Sequence, residues 1–117
     1  MSTASPIGLF YDDGQLRITW LSHATGFRVE GTVDAATRSG LDAALAAVAP
    51  GDADIHVDLS GLDFIDMEGL RLIVRAARDL GEGRLLFVER VPSYVQTLLH
   101  VLNWGDTPGL RIEGVEA

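Results

Sequence analysis

Five aspartates crowd one stretch of this sequence: Asp52, Asp54, Asp58, Asp63 and Asp66. Carboxylates at that density could hold Mg²⁺ or accept a phosphoryl group. Two features argue against both. Alternation along a strand sends neighbouring side chains to opposite faces. The lysine on which phospho-acceptor domains rely is absent, because all nine basic residues are arginine. A solvated acidic rim is the expectation. His23, His56 and His100 fall on a turn, a strand and a helix, with no pair at ligand spacing, so no metal site is expected. No nucleophile–base pair, phosphate loop or spaced carboxylate dyad occurs, so neither catalytic residues nor a cofactor is expected.

The informative member of the series is Asp66, in the run Asp66-Met67-Glu68-Gly69-Leu70. It stands where a buried strand ends and an apolar 3.6-residue period begins. A loop that opens a helix presents free backbone N–H groups and the positive end of the helix dipole, which suits contacts to phosphate or to a partner. Asp66 also reads as an N-cap, and Glu68 as a first-turn acid favoured by the dipole. Asp34 and Thr37 are candidate caps of an earlier helix. Arg71, Arg75 and Arg78 form a solvated stripe, with Arg71 close enough to the hinge to touch a partner.

The chain has 117 residues, enough for one compact domain with a core that requires no metal or disulfide. Cysteine is absent, which removes thiol chemistry and disulfides. Without lysine there is no phosphate-loop ATPase, Schiff-base or Ser–Lys chemistry. A net charge of −8 opposes binding to nucleic acid and to anionic membranes. No apolar run approaches the roughly 18 residues of a membrane span, and the N-terminus lacks the basic flank of a secretory signal. The expectation is a soluble cytoplasmic protein with protein partners.

The elements that must position the hinge follow from period and punctuation. Met1 to Pro6 reads as a mobile tail. Ile7 to Tyr11 reads as a short edge strand, turned by Asp12-Asp13-Gly14 into a strand from Gln15 to Leu21. A turn over His23 to Gly26 leads to a half-buried strand, Phe27 to Gly31. Leu41, Ala44, Leu45 and Val48 mark one helix face, ended by Pro50-Gly51. Ala53 to Leu59 reads as a central strand. The helix after the hinge turns Leu70, Ile73, Val74 and Ala77 inward. Gly81-Glu82-Gly83 breaks it, and Arg84 to Val88 reads as a strand covered on both sides. Pro92 opens a last helix with Val95, Leu98, Leu99 and Leu102 inward, and Leu110 to Glu113 closes the chain as a strand. Alternating strands and helices predict an α/β layer structure with a mixed sheet. Trp20 and Trp104 read as core or rim packing, or in the case of Trp104 as part of an exposed docking patch.

Four pieces of this sequence, in order, resemble the STAS domain family, which includes bacterial anti-sigma factor antagonists. They are Gly31-Thr32-Val33-Asp34, the run from Asp58 to Asp66, Gly69-Leu70, and the run from Leu98 to Gly105. The resemblance extends from Gln15 to Glu113. It implies a single compact α/β domain, a STAS-like mixed β-sheet with helices packed on it, over residues 15–117, with residues 1–14 as a tail and edge strand. In that family the domain binds an anti-sigma factor that is also a serine kinase of the histidine-kinase-like ATPase type. Phosphorylation of a Ser or Thr in the hinge breaks the complex. Met67 occupies that position here and has no hydroxyl.

The resemblance implies partner contacts at Asp34, Thr37, Asp66, Met67, Glu68, Gly69, Leu70 and Arg71. It implies no nucleic acid and no membrane insertion, and it leaves a homodimer open. Two consequences of Met67 stand side by side. The chain is permanently ready to bind, or Glu68 places a fixed charge near the usual phosphate; the first is favoured. Ser60 is expected in the loop after the strand, with nothing to make it a substitute acceptor. The alternative function is a STAS-type structural subunit of a lipid-transport ABC complex or a stress-sensing assembly.

Overall fold

The computed structural model describes residues 8–113. The tail expected over Met1 to Pro6 lies outside the described residues, as does Ile7 of the expected edge strand. The chain runs β1 (Leu9–Asp12), β2 (Leu16–Trp20), β3 (Gly26–Val33), α1 (Arg38–Val48), β4 (Ile55–Ile65), α2 (Met67–Asp79), β5 (Leu86–Glu89), α3 (Ser93–Val101) and β6 (Leu110–Glu113). The strands form one six-stranded mixed sheet in chain order. β1–β2 and β2–β3 pair antiparallel, while β3–β4, β4–β5 and β5–β6 pair parallel.

That order decides where the helices sit. Parallel neighbours need crossovers, and each crossover here carries one helix. Crossovers in a sheet take the right-handed form almost without exception. Three of them stepping in the same direction therefore place α1, α2 and α3 on one face. Burial follows: Leu16, Ile18, Phe27, Val29, Ile55, Val57, Leu86 and Val88 are buried beneath the helices. Their strand neighbours Arg17, Arg28, His56 and Phe87 lie on the other, more open face. The strand at Arg84 to Val88 is thus covered on one side only, a correction to the reading from its apolar composition. On the open face Phe87 stacks on His56 with ring centroids 5.0 Å apart, and His56 Nδ1 meets Glu89 Oε2 at 2.7 Å.

β4 is the other departure. It spans eleven residues and continues through the segment expected to be a loop. Its register with β3 slips twice, between the pairs Arg28–Asp58 and Glu30–Gly61 and again between Gly31–Leu62 and Thr32–Phe64. At each slip β4 contributes one residue more than β3, as in a β-bulge. The buried positions are consequently Leu59, Leu62 and Ile65, spaced by three instead of two. Alternation fails there, which is why the segment does not read as a strand. Ser60 lies within β4, and its hydroxyl oxygen is enclosed with no hydrogen-bond partner among the described residues.

The helix faces match their periods. α1 buries Leu41, Ala44, Leu45 and Val48, and α2 buries Leu70, Ile73, Val74 and Ala77. α3 buries Val95 and Leu99, with Leu98 and Leu102 half-buried. Asn103 takes the left-handed conformation after α3 (φ 59°). Trp20 packs at the rim between Phe10 and Phe27.

Close approach of β3 and β4 rests on Gly26, whose φ is 147° and where an added Cβ would fall 1.8 Å from the His56 carbonyl oxygen. Gly51 also has positive φ (101°) but faces open space. Gly26→Ala is expected to cost about 3 kcal/mol or more in urea unfolding, and Gly51→Ala only about 1 kcal/mol of backbone strain. Equal losses would show that contact at the β3–β4 start does not matter.

Candidate functional site

β4 ends at Ile65 and Asp66 turns the chain into α2. Three bonds from backbone N–H groups hold the turn: Asp66 N donates to Val33 O at 3.0 Å, Leu70 N donates to Asp66 O at 3.0 Å, and Ile65 N donates to the Tyr94 hydroxyl Oη at 2.9 Å. The Asp66 side chain caps the helix, its Oδ1 accepting from Gly69 N at 2.8 Å, as the N-cap reading expected. Its other oxygen, Oδ2, meets Arg38 Nη2 at 3.2 Å. One carboxylate therefore joins the first turn of α2 to the first residue of α1.

Gly69 is required by packing rather than by dihedral angle. An added Cβ there would lie 2.6 Å from Val33 Cγ1 and 3.1 Å from Asp66 Oδ1. Spacing between the aspartate and the glycine is thus a consequence of the cap: the residue that donates to Asp66 sits against β3.

The expected partner-contact residues divide into a frame and a rim. Thr37 and Leu70 are each 1% exposed, and Gly69 is also buried. These three support the turn from beneath. Thr37 stands at the N-cap position of α1 but does not cap it. Its hydroxyl donates to Thr32 O at 2.8 Å and accepts from Asp34 N at 3.0 Å, holding the β3–α1 loop closed. Asp34 is half-buried; its Oδ1 accepts from Ala36 N at 3.0 Å and its carbonyl accepts from Arg38 N at 2.8 Å. Outward from this frame stand Met67, 45% exposed, and Glu68 and Arg71, also exposed. Glu68 Oε1 lies 3.5 Å from Arg71 Nε, and the Arg71 guanidinium carbon lies 5.4 Å from the centroid of the Trp104 ring. Arg75 and Arg78 are exposed, the solvated face expected of them.

Two residues of this site escape sequence reading. Arg38 links the two loops that carry Asp34 and Asp66. Its signal was an arginine in the first turn of a helix, where the dipole disfavours a cation unless a carboxylate answers it. Tyr94 reaches the hinge from α3 and stacks on Phe64, ring centroids 6.5 Å apart at 11°. Nothing local in the sequence announces that contact across 29 positions.

The rim presents a thioether, a carboxylate and a guanidinium to solvent. Among the described residues no group of three or more His, Cys, Asp or Glu is placed to hold a metal, and no helix is long and apolar enough to cross a membrane. A groove of about 460 Å³ between α1 and α2, lined in part by Asp42, Leu72, Arg75 and Arg84, shares no residue with the Asp66 rim.

Comparison with known proteins agrees with the geometry. A family model described as "Mlab, STAS domain" matches residues 16–112. An anti-sigma factor antagonist from Mycobacterium paratuberculosis superposes with a TM-score of 0.68 at 20% identity, over 93% of this chain and 90% of that one. An anti-sigma-factor antagonist (STAS) domain protein from Planctomyces limnophilus superposes with a TM-score of 0.61 at 15% identity, over 88% of this chain and 92% of that one. No curated protein shows significant similarity to this sequence.

Asp66→Ala removes the cap and leaves the Arg38 guanidinium without its carboxylate. A loss of about 1–2 kcal/mol in urea unfolding is expected, while Asp66→Asn, which keeps an acceptor, should cost less than half as much. Equal losses for the two variants would place the stabilisation in the ion pair instead of the cap. Burial raises the Tyr94 phenol above its ordinary value, the Ile65 N–H bond opposes the rise, and the charge of Asp63 adds to it. The fold thus favours the neutral phenol, so its contribution is complete below the ordinary value of about 10 and is lost as pH rises through the raised folded value. In Tyr11→Phe, which leaves Tyr94 as the one tyrosine, ultraviolet titration should place phenolate formation above that ordinary value. A midpoint at or below it contradicts the assignment.

Proposed function

The chain belongs to the STAS domain family, and on that premise we propose that it is a non-catalytic, cytoplasmic protein-binding regulator. It docks through the start of α2 onto an anti-sigma factor/serine kinase of the histidine-kinase-like ATPase type. The supporting observation is Met67, which stands exposed on a turn held by Asp66, Arg38, Val33 and Tyr94. A thioether on a rigid turn is well suited to fill an apolar pocket, since its flexible chain adapts to the pocket's shape. Met67, Glu68 and Arg71 form the contact, Asp34 and Asp66 its acidic border, and Thr37, Gly69 and Leu70 the frame.

The regulator works without a phosphorylation switch at this turn. Phosphate at a hydroxyl would add about −1.5 to −2 charges, and Met67 cannot carry it. Glu68 contributes one charge, one residue away, and Arg71 partly answers it at 3.5 Å. A permanently binding form therefore fits better than a mimic of the released one. Ser60 offers no substitute, because its hydroxyl oxygen is enclosed.

A second reading, a structural STAS subunit of a lipid-transport ABC complex, draws on two observations. The matching family model is the one described as Mlab, and an unswitchable residue at position 67 suits a subunit that is never released. Capture from the native cell separates the two: a histidine-kinase-like ATPase supports the regulator, a transporter ATPase or permease the subunit. With the cognate kinase and ATP, no phosphate is expected on the native chain, and Met67→Ser is expected to become an acceptor. Met67→Asp is expected to weaken binding at least about tenfold. Phosphate at Ser60 in the native chain, or unchanged binding by Met67→Asp, contradicts the proposal.

A further inference from the structure

The apolar surface around Met67 continues onto α3. Phe64 is 47% exposed, Tyr94 38% and Val101 70%. Tyr94 stacks on Phe64 beside the hinge, and Tyr94, Leu98 and Val101 follow one another at i, i+4 and i+7, along one side of α3. Past the helix end, Trp104 lies beneath Arg71, one turn along α2 from Met67. α3 therefore starts at the start of α2, and the chain leaving it rests beside the next turn of that helix. Phe64, Met67 and Tyr94 are the exposed apolar side chains around the hinge, and Val101, seven residues on from Tyr94, is exposed on the same side of α3.

Charges bordering that surface are mostly acidic. Asp66 is answered by Arg38 and Glu68 partly by Arg71. Asp63, next to Phe64 and close enough to act on the Tyr94 phenol, is exposed and has no ion-pair partner among the described residues. Asp106, two residues past Trp104, is likewise exposed and unpaired among the described residues. The chain as a whole carries −8.

We infer that α3 is the second half of the docking surface, and that its occupant is a partner protein presenting an apolar ridge flanked by arginine or lysine. The inference rests on the docking role proposed for α2 and extends it. Phe64, Met67 and Tyr94 are the residue types that concentrate binding energy when water is excluded around them. Asp63 and Asp106 steer a basic rim and set the orientation of the complex. Binding on Tyr94 also reaches the hinge, because the same hydroxyl holds Ile65 N.

The test uses the purified ATPase obtained by the capture experiment, titrated with the native chain and with Met67→Asp, Val101→Arg, Val101→Leu and Asp63→Asn, each checked for native unfolding. Val101→Arg is expected to weaken binding at least about tenfold and Val101→Leu to leave it within about threefold. Asp63→Asn is expected to slow association several-fold and flatten its dependence on salt. If Met67→Asp fails to bind while Val101→Arg binds like the native chain, α3 is outside the interface and the inference falls, with the α2 reading intact. Affinity that does not decline with salt overturns the basic partner. If the native chain binds no such ATPase, both readings fall together.

Discussion

The two oxygens of the Asp66 carboxylate hold the site together. One accepts from the Gly69 amide and the other from the Arg38 guanidinium. Each bond is modest by itself: an N-cap contributes about 1 kcal/mol, and a half-exposed ion pair less. Their joint effect is geometric. They fix the start of α2 against the start of α1, so that the β3–α1 loop and the hinge become one rigid edge. Glycine at position 69 is the steric counterpart, since any side chain there would meet Val33 and the cap itself. With that edge held, Met67 has to face outward.

The sheet supplies the complementary constraint. Its strands follow chain order, so same-handed crossovers gather all three helices on one face. The core carries the stability, and the helix starts are left at one edge of the sheet, close to solvent. Thr37, Gly69 and Leu70 beneath this edge are buried and Asp66 and Arg38 partly so, while Met67, Glu68 and Arg71 meet solvent. Frame and rim thereby change independently. Met67 takes no part in the Asp66 cap beneath it.

Much of this was legible in the sequence, for identifiable reasons. The inward faces of α1 and α2, strand β6 and the Asp66 cap all depend on local period or on neighbours a few residues apart. The Ser60–Phe64 segment was misread because two bulges replace a spacing of two with a spacing of three. β5 looked covered on both sides because Phe87 is apolar, yet topology leaves it stacked on His56 at the open face. Arg38 and Tyr94 were missed because their meaning lies 28 and 29 positions away. Gly69 and Leu70 stand out in the sequence for their place in the motif and Thr37 as a candidate cap, and only the folded chain shows that all three are buried beneath the turn.

Amide hydrogen exchange on the native chain, alone and with the purified ATPase proposed as its partner, tests the central claim most directly, because it locates contact without altering any side chain. The account predicts slowed exchange over residues 64–71 on binding, with the open sheet face around His56, Asp58 and Phe87 unchanged. Slowing confined to that open face, with the start of α2 exchanging as freely as in the unbound chain, would contradict it.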